Sequence, residues 1–280
     1  GVTGLFYRSD YLTQAGYKPE DLNNINWDRF IEIGKDVLAK TGHKMIDMDL
    51  NEHGDVDMMM QSAGQWYFNA DGSLNVLDNV ALKAGLSTYG KLWQSGIVEP
   101  VSGWSNYTAG FTGGDEASVP VGVWMTGTIK ANPDQAGKWA VAPIPRLDIP
   151  GGVAASNWGG SSWFVLSTSP NKAAALDFLK TVWAGDVDFY QSILTKSGAV
   201  GSLLAARTGD VYTKSDDFFG GQKVWQDFSD WLAKIPGISY GTYTAEVDAA
   251  MVAQLPAISK GGSVDDALKA INDQASAQMQ

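Results

Sequence analysis

Apolar residues recur at helical spacing in several stretches of the chain. Phe30, Ile33, Gly34, Val37 and Leu38 share one face behind Asn26, whose side chain suits an N-cap. Ala81, Ala84, Gly85, Thr88, Tyr89, Leu92 and Trp93 repeat the pattern, with Asp78 as the expected cap and Gly96 as the expected C-terminal stop. Ser169 and Pro170 open a third helix carrying Ala174, Ala175, Phe178, Leu179, Val182 and Trp183 as an apolar stripe. Ser263-Val264-Asp265-Asp266 resembles a capping box before Ala267, Leu268 and Ile271. Further helices are expected from about 222 to 234 and from about 244 to 259. Strand-like runs are fewer: Leu5–Tyr7, Ser118–Thr126, Trp139–Ala142 and Ser161–Ser167. This mixed order predicts an α/β fold with more helix than strand. The Pro- and Gly-rich stretch 143–160 is a candidate crossing between two lobes.

Composition narrows the possible chemistry. At 280 residues, 44% of them hydrophobic and 18% charged, the chain can bury a sizeable core. A net charge of −11 makes nucleic acid a poor partner. The absence of Cys excludes thiol catalysis and Cys-ligated metal, and it suits an extracytoplasmic protein. No run of 18 apolar residues is present to span a membrane as a helix. The start, Gly1-Val2-Thr3-Gly4, has no initiator Met and no basic or apolar leader, so a leader is read as removed or not included.

Catalytic signatures are missing. There is no P-loop, no G-x-S-x-G elbow and no H-E-x-x-H helix. Only His43 and His53 are present, so a multi-His metal site cannot form. Asp47 to Asp55 begins like a calcium loop, but its Gly falls two places late and Met58 stands where Glu is needed. A polar surface loop is the alternative. No carboxylate pair stands out for glycoside hydrolysis. No metal, cofactor or catalytic residue is assigned.

Eleven Trp, ten Tyr and ten Phe carry the strongest signal. Trp27, Trp93, Trp183, Trp225 and Trp231 fit apolar faces or helix entrances and read as core. Three other segments place Trp among Gly, Asn and Gln: Gly64–Asn69, Gly103–Tyr107 and Ser156–Gly160. An indole in such a setting suits the C–H face of a pyranose, with neighbouring amides and carboxylates satisfying the hydroxyls.

Six segments, in order, resemble the extracellular solute-binding proteins of ABC transporters, family 1, the maltodextrin-binding-like group. Leu5 to Gly16 is similar to the family's "YNKDLFEKAG" run, with Arg8-Ser9-Asp10 in place of "NKD". Asn26 to Phe30 is similar to "TWDEF", and Gly64 to Gly72 with the following helix to "GG…F…DGK". Phe111 to Gly127 is similar to "F..GKAAMYFNGSW", although Ile129 stands where the family often has Trp. Ser169 to Lys172 and Ser263 to Ala270 are similar to "SPNKELAKEFL" and "TVDEALKDA".

The resemblance implies a two-lobed periplasmic-binding-protein fold of type II, with the first pass of lobe one, on the order of 100 residues, missing from this chain. It implies a hinge strand at 1–10, the main part of lobe two at 11–157, the returning part of lobe one at 158–212, and C-terminal helices at 213–280 packing on lobe two. It implies capture of a sugar, in particular an oligosaccharide, by lobe closure and delivery to an ABC permease in the membrane, with no bond broken. The protein is then an extracytoplasmic monomer, periplasmic or lipid-anchored. By position the implied ligand contacts are His53 and Asp55 in the loop Glu52–Asp57, Trp66 at the rim, and Trp158 with Asn157 at the hinge crossing. Trp124 and Thr126 are expected at a strand end, and Tyr240 and Tyr243 before a helix. Trp104 is read as structural or surface. The alternatives are the same fold binding a polyamine, polyol or other small solute, and a glycosidase.

Overall fold

A computed structural model describes residues 1–279. Its central feature is a three-stranded antiparallel sheet in the order β4-β1-β5, formed by β1 (Thr3–Arg8), β4 (Ser118–Gly122) and β5 (Trp139–Ala142). Phe6 lies opposite both Val119 and Val141, and Leu5 opposite Pro120 and Ala142. All six residues of β1 are buried. Their alternation splits them between two cores: Leu5 and Tyr7 enter the first, Phe6 the second.

The first core is built largely by helices. α1 (Ser9–Gln14) follows β1, and α2 (Trp27–Thr41) is capped as expected, with the Asn26 side chain accepting the Arg29 N–H at 2.8 Å. α3 (Gly54–Ser62) and α4 (Val80–Gln94) pack on each other. The cap of α4 is Asn79 rather than Asp78, because its Oδ1 reaches the Leu82 N–H while its amide donates to Trp66 O. Gly96 ends that helix with φ +83°. The expected helix over 244–259 is two, α10 (Thr244–Val252) and α11 (Leu255–Ser259), with Pro256 opening the second. Ser263 caps α12 (Val264–Gln278) by accepting the Asp266 N–H.

The second core gathers Phe111 of α5 (Trp104–Gly113), Ile129 of α6 (Thr126–Ile129), Leu194 of α8 (Val187–Ser197), and Phe228 and Trp231 of α9 (Val224–Leu232). Phe6 meets Phe228 at 5.5 Å between ring centroids. On the outer side of β5, the Gln222 side chain accepts from Val141 N–H and donates to Val141 O.

The structure departs from sequence expectation in four further places. The strand from Ser118 stops at Gly122, because residues 123–125 form a tight 3₁₀ turn and Thr126 opens α6, its hydroxyl bonding Val123 O. Ser161–Ser167 is not a strand; its backbone finds no ladder partner among the described residues. The third predicted helix starts two residues late, as α7 (Lys172–Phe178), and continues as one wider π-type turn over Leu179–Trp183. None of its stripe is buried, so Trp183 is not core; it stacks only on Trp163, Phe189 and Tyr190. Lastly, the calcium-like segment begins in a strand. β2 (Ile46–Asp49) pairs in parallel with β3 (Val98–Val101), and both Asp47 and Asp49 are buried. Both strands have only four residues, too short for a period of two to show.

Candidate functional site

Three tryptophans from separate parts of the chain converge on one cavity of about 150 Å³. Trp104 opens α5, Trp124 sits in the turn after β4, and Trp158 lies near the end of the Pro/Gly-rich stretch. Tyr107, one helical turn beyond Trp104, completes the aromatic lining. Trp104 and Trp124 have ring centroids 5.9 Å apart with planes 32° apart, and Trp104 meets Tyr107 at the same distance. The Trp124 indole N–H donates to Trp158 O at 3.1 Å, which ties the Trp124 ring to the backbone that carries Trp158.

Close backbone approach makes room for these rings. A Cβ on Gly54 would fall 2.3 Å from the Trp158 ring, and one on Gly122 would fall 2.2 Å from Trp124 Nε1. The start of α3 therefore presses its backbone against one indole, and the end of β4 does the same for the other.

Asp49, Glu52 and Asp55 supply the polar wall. Burial pushes the Asp55 carboxyl up to about 7, and the charges of Glu52 and Asp57 add to the shift. Asp49 behaves in the opposite way. Burial pushes it up, but hydrogen bonds from the Asn51 N–H, the Gly103 N–H and the Asn51 amide outweigh that and hold it below its ordinary value. No Lys or Arg lines the cavity. Larger concavities of about 510 Å³ along β5 and about 280 Å³ beside Trp27 lack this stacked aromatic lining.

Of the nine residues expected to contact ligand, Trp158, Trp124 and Asp55 line this cavity, and six stand elsewhere. Trp66 is buried in the first core, donates to Thr244 Oγ1 and packs on Tyr67 and Tyr240. Tyr240 is half exposed, with its hydroxyl 3.3 Å from Gln61 Oε1, and Tyr243 packs against the first core before α10. Thr126 is buried with its hydroxyl donating to Val123 O. Asn157 donates to Gly159 O. His53 precedes α3, its Nδ1 2.6 Å from Asp57 and 3.7 Å from Asp248.

His53, Asp57 and Asp248 are also the group among the described residues whose ligand atoms, all within 4.8 Å of one another, could hold a cation. The Asp57 hydrogen bond pushes His53 up to about 9, which favours the imidazolium beside these acids; Asp57 is within hydrogen-bond distance, and Asp248 Oδ1 at 3.7 Å is not.

Trp104, which the sequence reads as structural or surface, lines the cavity, as do Tyr107, Asp49 and Glu52, which sequence reasoning did not name as ligand contacts. The Gly103–Tyr107 run shows the same aromatic-among-Gly-and-Asn pattern as the Trp158 loop. The i, i+3 spacing of Trp104 and Tyr107 was the available signal.

A profile of bacterial extracellular solute-binding proteins matches residues 1–220. The chain belongs to that family. Over its whole length it is 59% identical to a lactose-binding protein of Rhizobium radiobacter, and it spans 66% of that relative. It is 23% identical over 254 residues to an arabinooligosaccharide-binding protein of Halalkalibacterium halodurans, spanning 56% of that one. The chain is thus shorter than two thirds of the curated relatives it matches. Among solved structures, a family-1 extracellular solute-binding protein superposes with a TM-score of 0.80 at 20% identity, over 100% of this chain and 71% of the other. An ABC-transporter-associated binding protein from B. animalis subsp. lactis, solved with β-1,6-galactobiose, gives 0.79 at 24% identity, over 99% of this chain and 72% of the other. These superpositions establish the α/β periplasmic sugar-binding-protein fold for this member of the solute-binding family. Among the described residues no helix is long and apolar enough to cross a membrane.

Proposed function

We propose that this solute-binding protein captures a carbohydrate outside the cytoplasm and hands it, unchanged, to an ABC permease. The observation that carries the reading is the cavity of Trp104, Trp124, Trp158 and Tyr107 beside Glu52 and Asp55. Indole faces match the C–H face of a pyranose, and carboxylate oxygens accept from its hydroxyls. Each buried hydroxyl left unpaired would cost about 1–3 kcal/mol, which is why acceptors must flank the rings. The 59%-identical lactose-binding relative points to a galactoside. Catalysis is not part of this reading. In the two-lobe reading, residues 1–10 form the hinge strand, 11–157 and 213–280 lobe two, and 158–212 a returning part of lobe one, with closure as the binding motion.

Intrinsic Trp fluorescence, titrated with lactose, a panel of oligosaccharides and spermidine, tests the proposal. A saturable response to lactose or another neutral sugar, insensitive to salt and lost in Trp158→Ala and Trp104→Ala, is expected. A response to spermidine alone, weakening as salt rises, would transfer the site to a cationic solute. The acids and the lack of a lining Lys or Arg make that the second reading.

A further inference from the structure

Trp104 forms one wall of the cavity, yet little holds its side chain. It is 58% exposed, and its ring contacts are with Tyr107 and Trp124. Its orientation must therefore come from its backbone. Two features fix that backbone. Gly103 takes φ +77° and ψ 157°, a conformation closed to residues with a Cβ. Its N–H donates to Asp49 Oδ2 at 2.7 Å.

We propose that Asp49 is a positioning residue, an anchor on β2 that sets the angle at which Trp104 enters the cavity. The inference rests on the carbohydrate reading for its functional consequence, although not for its structural one. Asp49 is buried at the C-terminal end of β2, at 7% exposure. Its second oxygen, Oδ1, accepts from Asn51 N–H at 2.9 Å and from Asn51 Nδ2 at 2.8 Å. Three donors from the chain thus occupy a carboxylate with roughly four acceptor sites. Glu52 and Asp55 carry no such load and keep their oxygens for a ligand. The three cavity acids divide the labour: two make no side-chain hydrogen bond among the described residues, and one ties strand β2 to the start of α5. Its charge also faces the N-terminal end of that ten-residue helix, where a negative group is favoured.

Two variants approach the anchor from opposite sides. Asp49→Ala removes the acceptor. Gly103→Ala leaves the acceptor but forbids the backbone conformation, and its added Cβ meets nothing within 4 Å, so no clash confuses the result. The first readout needs no ligand: the indole exciton signal in circular dichroism from the Trp104–Trp124 pair, recorded with the melting temperature in a Trp183→Phe background that removes the Trp163–Trp183 pair. The second is lactose affinity from the fluorescence titration. Both variants should lose the exciton signal while remaining folded. Both should bind lactose at least about tenfold more weakly, the scale seen when a hydrogen bond orienting a binding group is removed. Asp49→Asn, which keeps one carbonyl oxygen, should recover part of each. Folded variants with a wild-type exciton signal would overturn the proposal whatever the sugar titration gives. A parent chain that binds no sugar, but whose exciton signal collapses in both variants, would support the anchor and overturn only the carbohydrate reading.

Discussion

Two stretches of similar apolar content have opposite fates. In the first core, Phe30, Ile33 and Val37 of α2 are at most 1% exposed. In the stretch 163–178, Trp163, Phe164, Leu166, Leu176 and Phe178 are between 47% and 83% exposed. Both have the residues a core needs, and the second even has helical periodicity. What differs is the presence of an opposing face. α2 meets α1 and α4, whereas no described element covers the stripe of α7. Amphipathic pattern signals a tendency to be covered, and coverage itself is a tertiary fact.

The contrast can be tested by substitution, beginning with the largest effect. Phe30→Ala should lower unfolding free energy by about 3–5 kcal/mol, measured by chemical denaturation, because the ring leaves a sealed cavity. A loss below about 1 kcal/mol would show that the first core is as loose as the bare stretch. Gly54→Ala places a methyl where the Trp158 ring lies. Overpacking of this kind should cost about 1–3 kcal/mol and shift Trp158 emission. An unchanged spectrum would mean the indole has room that the packing denies.

A third test sharpens the packed side through pH. Asp47 is 4% exposed, and neither carboxylate oxygen has a hydrogen-bond partner. Burial first, then the charge of Glu116, lifts its pKa from 3.8 to about 8. Its native pKa lies above its unfolded one, so the folded chain holds the proton longer. The contribution to stability is complete below about pH 3.8 and is lost as pH rises through about 8. Asp47→Asn removes this titration. Melting temperature should then fall less steeply between pH 4 and 8, with the advantage of the variant greatest at pH 8. Parallel melting curves would sink the assignment. The smallest effect belongs to the bare stretch: Phe164→Ser, at 83% exposure, should change stability by less than about 0.5 kcal/mol while reducing binding of an apolar dye.

Long elements with caps were legible in the sequence. Asn26, Ser263 and Gly96 mark boundaries because capping is local chemistry between residues a few positions apart. β5 was read to the residue. β2 and β3 were not, since a parallel pair brings together residues about fifty positions apart and four residues give no clear period. The site was half legible for a related reason. Trp158, with its Gly and Asn neighbours, advertised a polar setting for an aromatic. Trp66 carried the same neighbours but lies under Tyr240, where its indole N–H is satisfied by Thr244. Nothing local separates the two, because the deciding contact comes from residue 244. Asp49 was hidden differently: its role is a hydrogen bond to Gly103, 54 residues away.

The amide of Gln222 has a consequence for the free edge of the central sheet. One side chain donates to and accepts from the same residue of β5, as a neighbouring strand would. The central sheet is thus ended by a plug of one residue, and a plug can be pulled. While it is seated, an incoming extended peptide finds the middle rung of that edge already taken. If it were withdrawn, Val141 would be left with an unpaired N–H and C=O at that edge, the open rung that an uncapped edge strand offers to added chain.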